Sequence, residues 1–135
     1  MSTLHNNLLD AINQRTAKVA VIGLGYVGLP LAISAVLHGG FNVLGFDIDA
    51  SKVTLLEATE SYIDAVSNEE LNEANSAGLA EWTSDFKRLV ECQVIVVCVP
   101  TPLNKHREPD LSAVRATANS IAKHMGPNTL VVLES

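Results

Sequence analysis

Three short stretches combine residue types and spacings that could hold a ligand. The first is Gly23-Leu-Gly-Tyr-Val-Gly28, a Gly-x-Gly-x-x-Gly pattern directly after the apolar run that begins at Lys18. Between a strand and a helix, Gly23 permits a tight turn and Gly25 lets backbone approach a pyrophosphate. Gly28 lets helix and strand pack closely. The opening turn of such a helix offers free N–H donors and about half a positive charge, which suits a dianion without any lysine. The second stretch ends in Asp47, 24 residues beyond Gly23 and near the roughly 20-residue spacing at which an acid takes up ribose hydroxyls. A carboxylate there accepts from the 2′- and 3′-hydroxyls and repels a 2′-phosphate. Two unit charges ~4 Å apart at an effective dielectric of ~20 repel by about 4 kcal/mol. Solvent cuts that figure, but even ~1.4 kcal/mol is tenfold in affinity. The expected ligand is therefore NAD rather than NADP. Lys52, a single flexible cation, does not offset the repulsion, and Asp49 reads as a helix cap rather than a second ribose contact. The third stretch is Pro100-Thr101-Pro102, where two prolines stiffen a loop and Thr101 offers a hydroxyl where the nicotinamide half would arrive. A plain strand-ending turn accounts for those three residues equally well.

Other reactive side chains do not assemble into a catalytic set. Cys92 and Cys98 lack the C-x-x-C spacing and have no His-Cys cluster beside them, so they read as structural thiols of a reducing cytoplasm. His106 sits in a polar loop without an identifiable carboxylate partner. His5, His38 and His124 fall on or near helix surfaces. No metal set and no Ser/His/Asp grouping is evident, so any catalytic residues are expected beyond Ser135.

The elements that must position these stretches follow from hydrophobic periodicity. Leu4, Leu8, Leu9 and Ile12 form a helical stripe, so residues 1–17 are expected to be a lead-in helix packed on the domain. Residues 18–135 then alternate strands and helices. Strands are expected at Val19–Leu24, Phe41–Asp47, Leu79–Thr83, Val94–Val99 and Thr129–Leu133. A helix containing Pro30 in its first turn stops at Gly39-Gly40, and another carries Val53, Leu55 and Leu56. Residues 59–78 break the rhythm, with a short helix near Glu69–Ala77. Asp85–Glu91 reads as a short helix with Phe86, Leu89 and Val90 facing inward. Asp110 or Ser112 caps a last helix running to about Met125. This alternation demands right-handed crossovers and a parallel sheet. The expected fold is α/β, a single Rossmann domain with a doubly wound sheet of order 3-2-1-4-5 and a switch point between strands one and four.

Composition agrees. At 135 residues the chain has the length of one domain, and 47% hydrophobic against 18% charged residues suits a sheet buried on both faces. A net charge of −6 without basic clusters argues against nucleic acid. No apolar run has the length of a membrane span, and the first residues do not resemble a secretory signal. A soluble cytoplasmic domain is expected. Because the chain stops just after the fifth strand, it reads as a domain cut from a larger protein.

Beyond these physical readings, four segments in order resemble the nucleotide-sugar 6-dehydrogenases, the UDP-glucose/UDP-N-acetylmannosamine dehydrogenase family. They are Val19–Ala32, Gly45–Asp49 with Lys52-Val53, Val97–Pro102, and Val131–Ser135, which is similar to the opening of the family's Glu-Ser-Thr loop. The run Leu103-Asn-Lys-His-Arg-Glu-Pro-Asp-Leu-Ser112 resembles the branch that oxidises UDP-N-acetylglucosamine or UDP-N-acetylmannosamine, with UDP-N-acetylglucosamine 6-dehydrogenase nearest. The resemblance implies oxidation of a sugar C6 hydroxymethyl to a carboxylate with two NAD per turnover, feeding surface polysaccharide synthesis. An aldehyde-level intermediate is held on a catalytic cysteine, and that cysteine lies in later segments. The implied cofactor residues are Gly23, Gly25 and Gly28 at the pyrophosphate turn, with Tyr26 and Val27 contributing N–H groups. Asp47 and Lys52 flank the adenosine, Pro100 and Thr101 approach the nicotinamide ribose, and Glu134 lies in the closing loop. A UDP-sugar partner, a homo-oligomeric parent, and a monomeric or weakly dimeric, inactive isolated domain are implied as well. UDP-glucose 6-dehydrogenase is the enzymatic alternative. A non-catalytic nucleotide-sensing domain is the alternative of another class, although it has no need of the Pro-Thr-Pro loop or the irregular Ser61–Gly78 insertion.

Overall fold

The computed structural model describes residues 3–134, with side chains from Asn6 onward. Met1, Ser2, Ser135 and the side chains of Thr3, Leu4 and His5 lie outside the described residues.

The first helix, α1 (Thr3–Asn13), leads into β1 (Lys18–Ile22). Leu8 and Ile12 of its stripe are half-buried while Leu9 is exposed, so it rests lightly on the domain. Its C-terminus is better anchored. The Ala11 carbonyl accepts from the Thr16 and Ala17 N–H groups, and the Arg15 guanidinium donates to the Gly39 carbonyl at 2.6 Å.

The next elements are α2 (Gly28–Leu37), β2 (Asn42–Phe46), α3 (Ala50–Glu57), α4 (Asn68–Ser76) and β3 (Ala80–Thr83). A 3₁₀ turn over Phe86–Glu91, β4 (Val94–Val97), α5 (Ser112–His124) and β5 (Leu130–Leu133) complete the chain. The sheet has five parallel strands in the order β3-β2-β1-β4-β5, the topology that the strand–helix alternation predicts.

Two apolar layers sandwich this sheet. On one face Val19, Val21 and Val43 meet Leu29, Ile33 and Val36 of α2, Leu71 of α4 and Trp82. On the other, Ala20, Ile22, Leu44, Phe46, Ile95 and Val97 meet Leu89, Cys92 and Ile121. The β-branched run of β1 is buried on both sides, as a central parallel strand requires.

Expectation and structure part company in three places. Val90 is 59% exposed rather than inward-facing. The tighter 3₁₀ geometry has three residues per turn, which stacks Phe86 and Leu89 on one line and turns the next residue outward. The sheet is not buried throughout, since all four residues of β5 are exposed. The last helix begins at Ser112 with Leu111 at its N-cap and no side-chain cap there, so neither Asp110 nor Ser112 takes the expected N-cap position. The Asp110 carboxylate accepts from the Ser112 N–H at 2.9 Å and from its hydroxyl at 2.5 Å, which holds that carboxyl below its usual range.

Candidate functional site

Strands β1 and β4 are neighbours whose crossovers run to opposite sides, and a cleft of about 900 Å³ opens above their carboxyl ends. Open parallel sheets bind ligands at this switch point. Nine of the ten residues singled out from the sequence line the cleft: Gly23, Gly25, Tyr26, Val27, Asp47, Lys52, Pro100, Thr101 and Glu134. Gly28 is buried just behind the lining.

The glycine turn has the shape its sequence requires. Gly23 adopts φ +94°, and a Cβ there would meet the Cys98 carbonyl at 2.9 Å. A Cβ on Gly28 would lie 1.7 Å from the Gly23 carbonyl oxygen, so only glycine lets α2 start this close to β1. A Cβ on Gly25 would meet nothing within 4 Å, which leaves open space on the cleft side of the turn. Val27 occupies the N-cap of α2 without a side-chain cap, so no side chain satisfies that helix terminus. Pre-formed backbone donors beside an open cradle fit the pyrophosphate of a dinucleotide.

Asp47 is buried at the end of β2 and does more than wait for a ribose. Its Oδ2 accepts from the Leu24 N–H at 2.9 Å, and its Oδ1 accepts from the Asp49 N–H at 2.9 Å. The carboxylate thereby latches the glycine turn to β2, a role that spacing alone does not reveal. The bond also ends β1 at Ile22, two residues earlier than the apolar run suggests, because the Leu24 N–H leaves the ladder for Asp47. Asp49 is the N-cap of α3, accepting from the Ser51 N–H at 3.0 Å, and these bonds lower its carboxyl below the usual range. The Lys52 ammonium stands 4.0 Å from the Asp47 carboxylate. Ile48 is 87% exposed beside them, an apolar surface open to the cleft.

On the far wall Pro100, Thr101 and Glu134 stand on the extensions of β4 and β5. The Glu134 N–H donates to the Val97 carbonyl at 2.9 Å, which continues the strand pairing up to the cleft. Cys98 also lines the cleft, and burial with the nearby Glu134 charge raises its thiol pKa. Cys92 is buried away from it, its thiol pushed up to about 11 mainly by burial. Neither is a thiolate at neutral pH, in keeping with a structural reading. Among the described residues no group of three or more His, Cys, Asp or Glu side chains is placed to hold a metal ion.

Residues 17–135 match the family model described as the UDP-glucose/GDP-mannose dehydrogenase family, NAD binding domain. The chain belongs to this family. Its cofactor is NAD. It is 36% identical over 118 residues to a UDP-N-acetyl-D-glucosamine 6-dehydrogenase of Pseudomonas aeruginosa, covering 87% of this chain and 27% of that one. The fold superposes on the crystal structure of NDP-N-acetyl-D-galactosaminuronic acid dehydrogenase from Methanosarcina mazei Go1 with a TM-score of 0.84. That match has 32% identity and covers 100% of this chain and 30% of the other. A UDP-glucose dehydrogenase from the archaeon Pyrobaculum islandicum superposes with a TM-score of 0.81 at 28% identity, covering 88% of this chain and 28% of that one. The chain thus spans under a third of the length of these relatives. No described helix is long and apolar enough to cross a membrane.

Several lining residues were not singled out from the sequence as part of a site, among them Ile48, Phe86 and Tyr62. Tyr62, from the irregular stretch after α3, reaches into the cleft, and its hydroxyl donates to the Leu24 carbonyl. The only signal for it is that it is the one aromatic residue of the irregular 59–78 stretch.

Proposed function

We propose that this chain binds NAD across the carboxyl edge of its sheet, as the cofactor half of a UDP-N-acetylhexosamine 6-dehydrogenase. The observation that carries this reading is the placement of Asp47. Its carboxylate ends β2, is latched to the glycine turn, and borders the same cleft as the uncapped start of α2. In this reading the adenosine ribose sits on Asp47 with Lys52 beside it. The pyrophosphate lies along the N–H groups of Gly25, Tyr26 and Val27, in the cradle that Gly23 and Gly28 shape. The nicotinamide end reaches Pro100, Thr101 and Glu134.

Bound NAD supplies the hydride acceptor, two equivalents taking a C6 hydroxymethyl to a carboxylate. The chain's own residues bind and orient it. Both thiols here have raised pKa values, so the nucleophile such an oxidation requires is expected elsewhere in the enzyme, and residues 1–135 alone are expected to bind without turnover. The Leu103–Ser112 run supports an N-acetylated sugar over glucose, and the names of several relatives point the same way. The enzyme carrying this domain would act in the cytoplasm as a homo-oligomer on UDP-N-acetylglucosamine or UDP-N-acetylmannosamine, with the isolated domain monomeric or weakly self-associating.

Isothermal titration is expected to give saturable NAD binding at least tenfold tighter than NADP. Absence of NAD binding, or tighter NADP binding, overturns the cofactor site. Following NADH formation by the full enzyme with UDP-N-acetylglucosamine, UDP-N-acetylmannosamine and UDP-glucose decides the sugar, and a preference for UDP-glucose overturns the N-acetylhexosamine reading.

A further inference from the structure

The irregular stretch between α3 and α4 places one aromatic side chain against three parts of the cleft at once. The Tyr62 hydroxyl donates to the Leu24 carbonyl, while the Leu24 N–H donates to Asp47 at 2.9 Å. Leu24, the residue inside the glycine turn, is therefore held on both sides of its backbone. The face of the Tyr62 ring lies under the Lys52 ammonium, 5.6 Å from the ring centroid, and the same ammonium is 4.0 Å from the Asp47 carboxylate. Tyr62 is half-buried and lines the cleft. Burial, with the nearby Asp47 and Asp49 charges, raises its pKa, so the hydroxyl stays a donor throughout the physiological range.

We propose that Tyr62 is a positioning residue for the dinucleotide: its hydroxyl sets the glycine turn, and its ring parks the Lys52 ammonium against Asp47, preserving discrimination against a 2′-phosphate. This deepens the NAD reading of the cleft and rests on it. A lysine beside a ribose-binding acid is the one group here that would attract a 2′-phosphate. Held between a carboxylate and an aromatic face, its charge is already engaged and its four-carbon stem immobilised. Released from the ring, it is free to swing toward a third phosphate. Hydroxyl and ring thus have separable tasks, one in binding any dinucleotide and the other in choosing between two.

The test measures NAD and NADP affinity by isothermal titration for the unsubstituted chain, Tyr62→Phe, Tyr62→Leu, Lys52→Ala and Tyr62→Leu with Lys52→Ala, with the thermal midpoint of each. Tyr62→Phe, which keeps the ring, should weaken both ligands by a similar factor of about three to ten and leave their ratio unchanged. Tyr62→Leu should weaken NAD further and narrow the NAD-to-NADP ratio by about three- to fivefold. In the Lys52→Ala background the Tyr62→Leu change should no longer move that ratio. A purely structural tyrosine would lower the midpoint and both affinities together, without touching the ratio. An unchanged ratio in Tyr62→Leu, or unchanged affinities in Tyr62→Phe, overturns the proposal while leaving the NAD site standing. Failure of the unsubstituted chain to bind NAD overturns both.

Discussion

β2 and β5 are built from the same kinds of residue and lie in one sheet, yet they occupy different physical environments. In β2, Val43, Leu44 and Phe46 are at most 1% exposed, whereas Leu130 to Leu133 of β5 are 37–59% exposed. The difference is one of coverage. Helices α2 and α4 close one face over β1 and β2, and the 3₁₀ turn and α5 close the other, but only Thr117 and Ile121 of α5 are buried. At the β4 side, Val94 and Val96 are left half-buried, and β5 is an apolar edge strand of the kind that invites association. The cleft straddles this divide. Its glycine turn and Asp47 stand on the enclosed half, and Pro100, Thr101 and Glu134 stand on the open half. Dinucleotide affinity should therefore come mainly from the adenosine end, where the groups are already fixed, with the nicotinamide end more weakly organised.

The most severe way to break this comparison is to remove the same kind of side chain from each half. Phe46 is fully buried and packs against Phe86 at a ring-centroid distance of 5.4 Å. Phe46→Ala is expected to cost about 3–5 kcal/mol, lowering the thermal midpoint by roughly 10 °C or more. Leu133→Ala, on the open edge, is expected to cost under about 0.5 kcal/mol. Similar losses in calorimetry would mean that β5 is covered in solution. A smaller effect separates the two ends of the cleft. Asp47→Asn, which removes the charge and keeps the shape, should weaken NAD by about tenfold and narrow its advantage over NADP. Thr101→Val should weaken NAD by no more than about threefold, since it removes one neutral hydroxyl from an exposed wall. The reverse order in titration would place the binding energy at the nicotinamide end.

How far the sequence discloses this arrangement depends on whether a residue acts through its neighbours in the chain or across space. The glycine turn, the strand order and the cleft's position are local or topological, and alternation with turn residues specifies them directly. Tyr62 and Asn75 are different. The Asn75 side chain donates to the Leu56 carbonyl at 2.9 Å and accepts from the Trp82 indole N–H at 2.9 Å, which anchors α4 and β3 to the end of α3. The residues it joins are up to 19 positions away in the chain, so no periodicity exposes the link, and the stretch it organises reads only as irregular. Val90 illustrates a different limit. Inward or outward depends on 3.0 or 3.6 residues per turn, and six residues are too few to display either period.

The smallest expected effect sharpens the comparison from the edge opposite the cleft. At the start of β1 the Lys18 ammonium meets Glu91 at 2.8 Å, and Arg88 holds Glu91 at 2.8 Å and Glu81 at 2.9 Å. This network ties β1, β3 and the 3₁₀ turn together on the enclosed half, and β5 has no part in it. Hydrogen bonds from Arg88 and then Lys18 hold the Glu91 carboxyl at about 2, below its ordinary 4.5. A depressed carboxylate stabilises the fold fully above the ordinary value, and that contribution is lost as the pH falls from about 4.5 toward 2. Because the Glu91 side chain is 36% exposed, solvent screens the interaction, and about 0.2–1 kcal/mol is a fair expectation. Unfolding by urea at a series of pH values should therefore show Glu91→Gln losing less stability than the unsubstituted chain between pH 5 and 2. Molar salt should erase most of the difference, since a screened network loses its advantage at high ionic strength. Parallel pH profiles for the two proteins would show that the network adds nothing, leaving apolar coverage alone to separate the two halves.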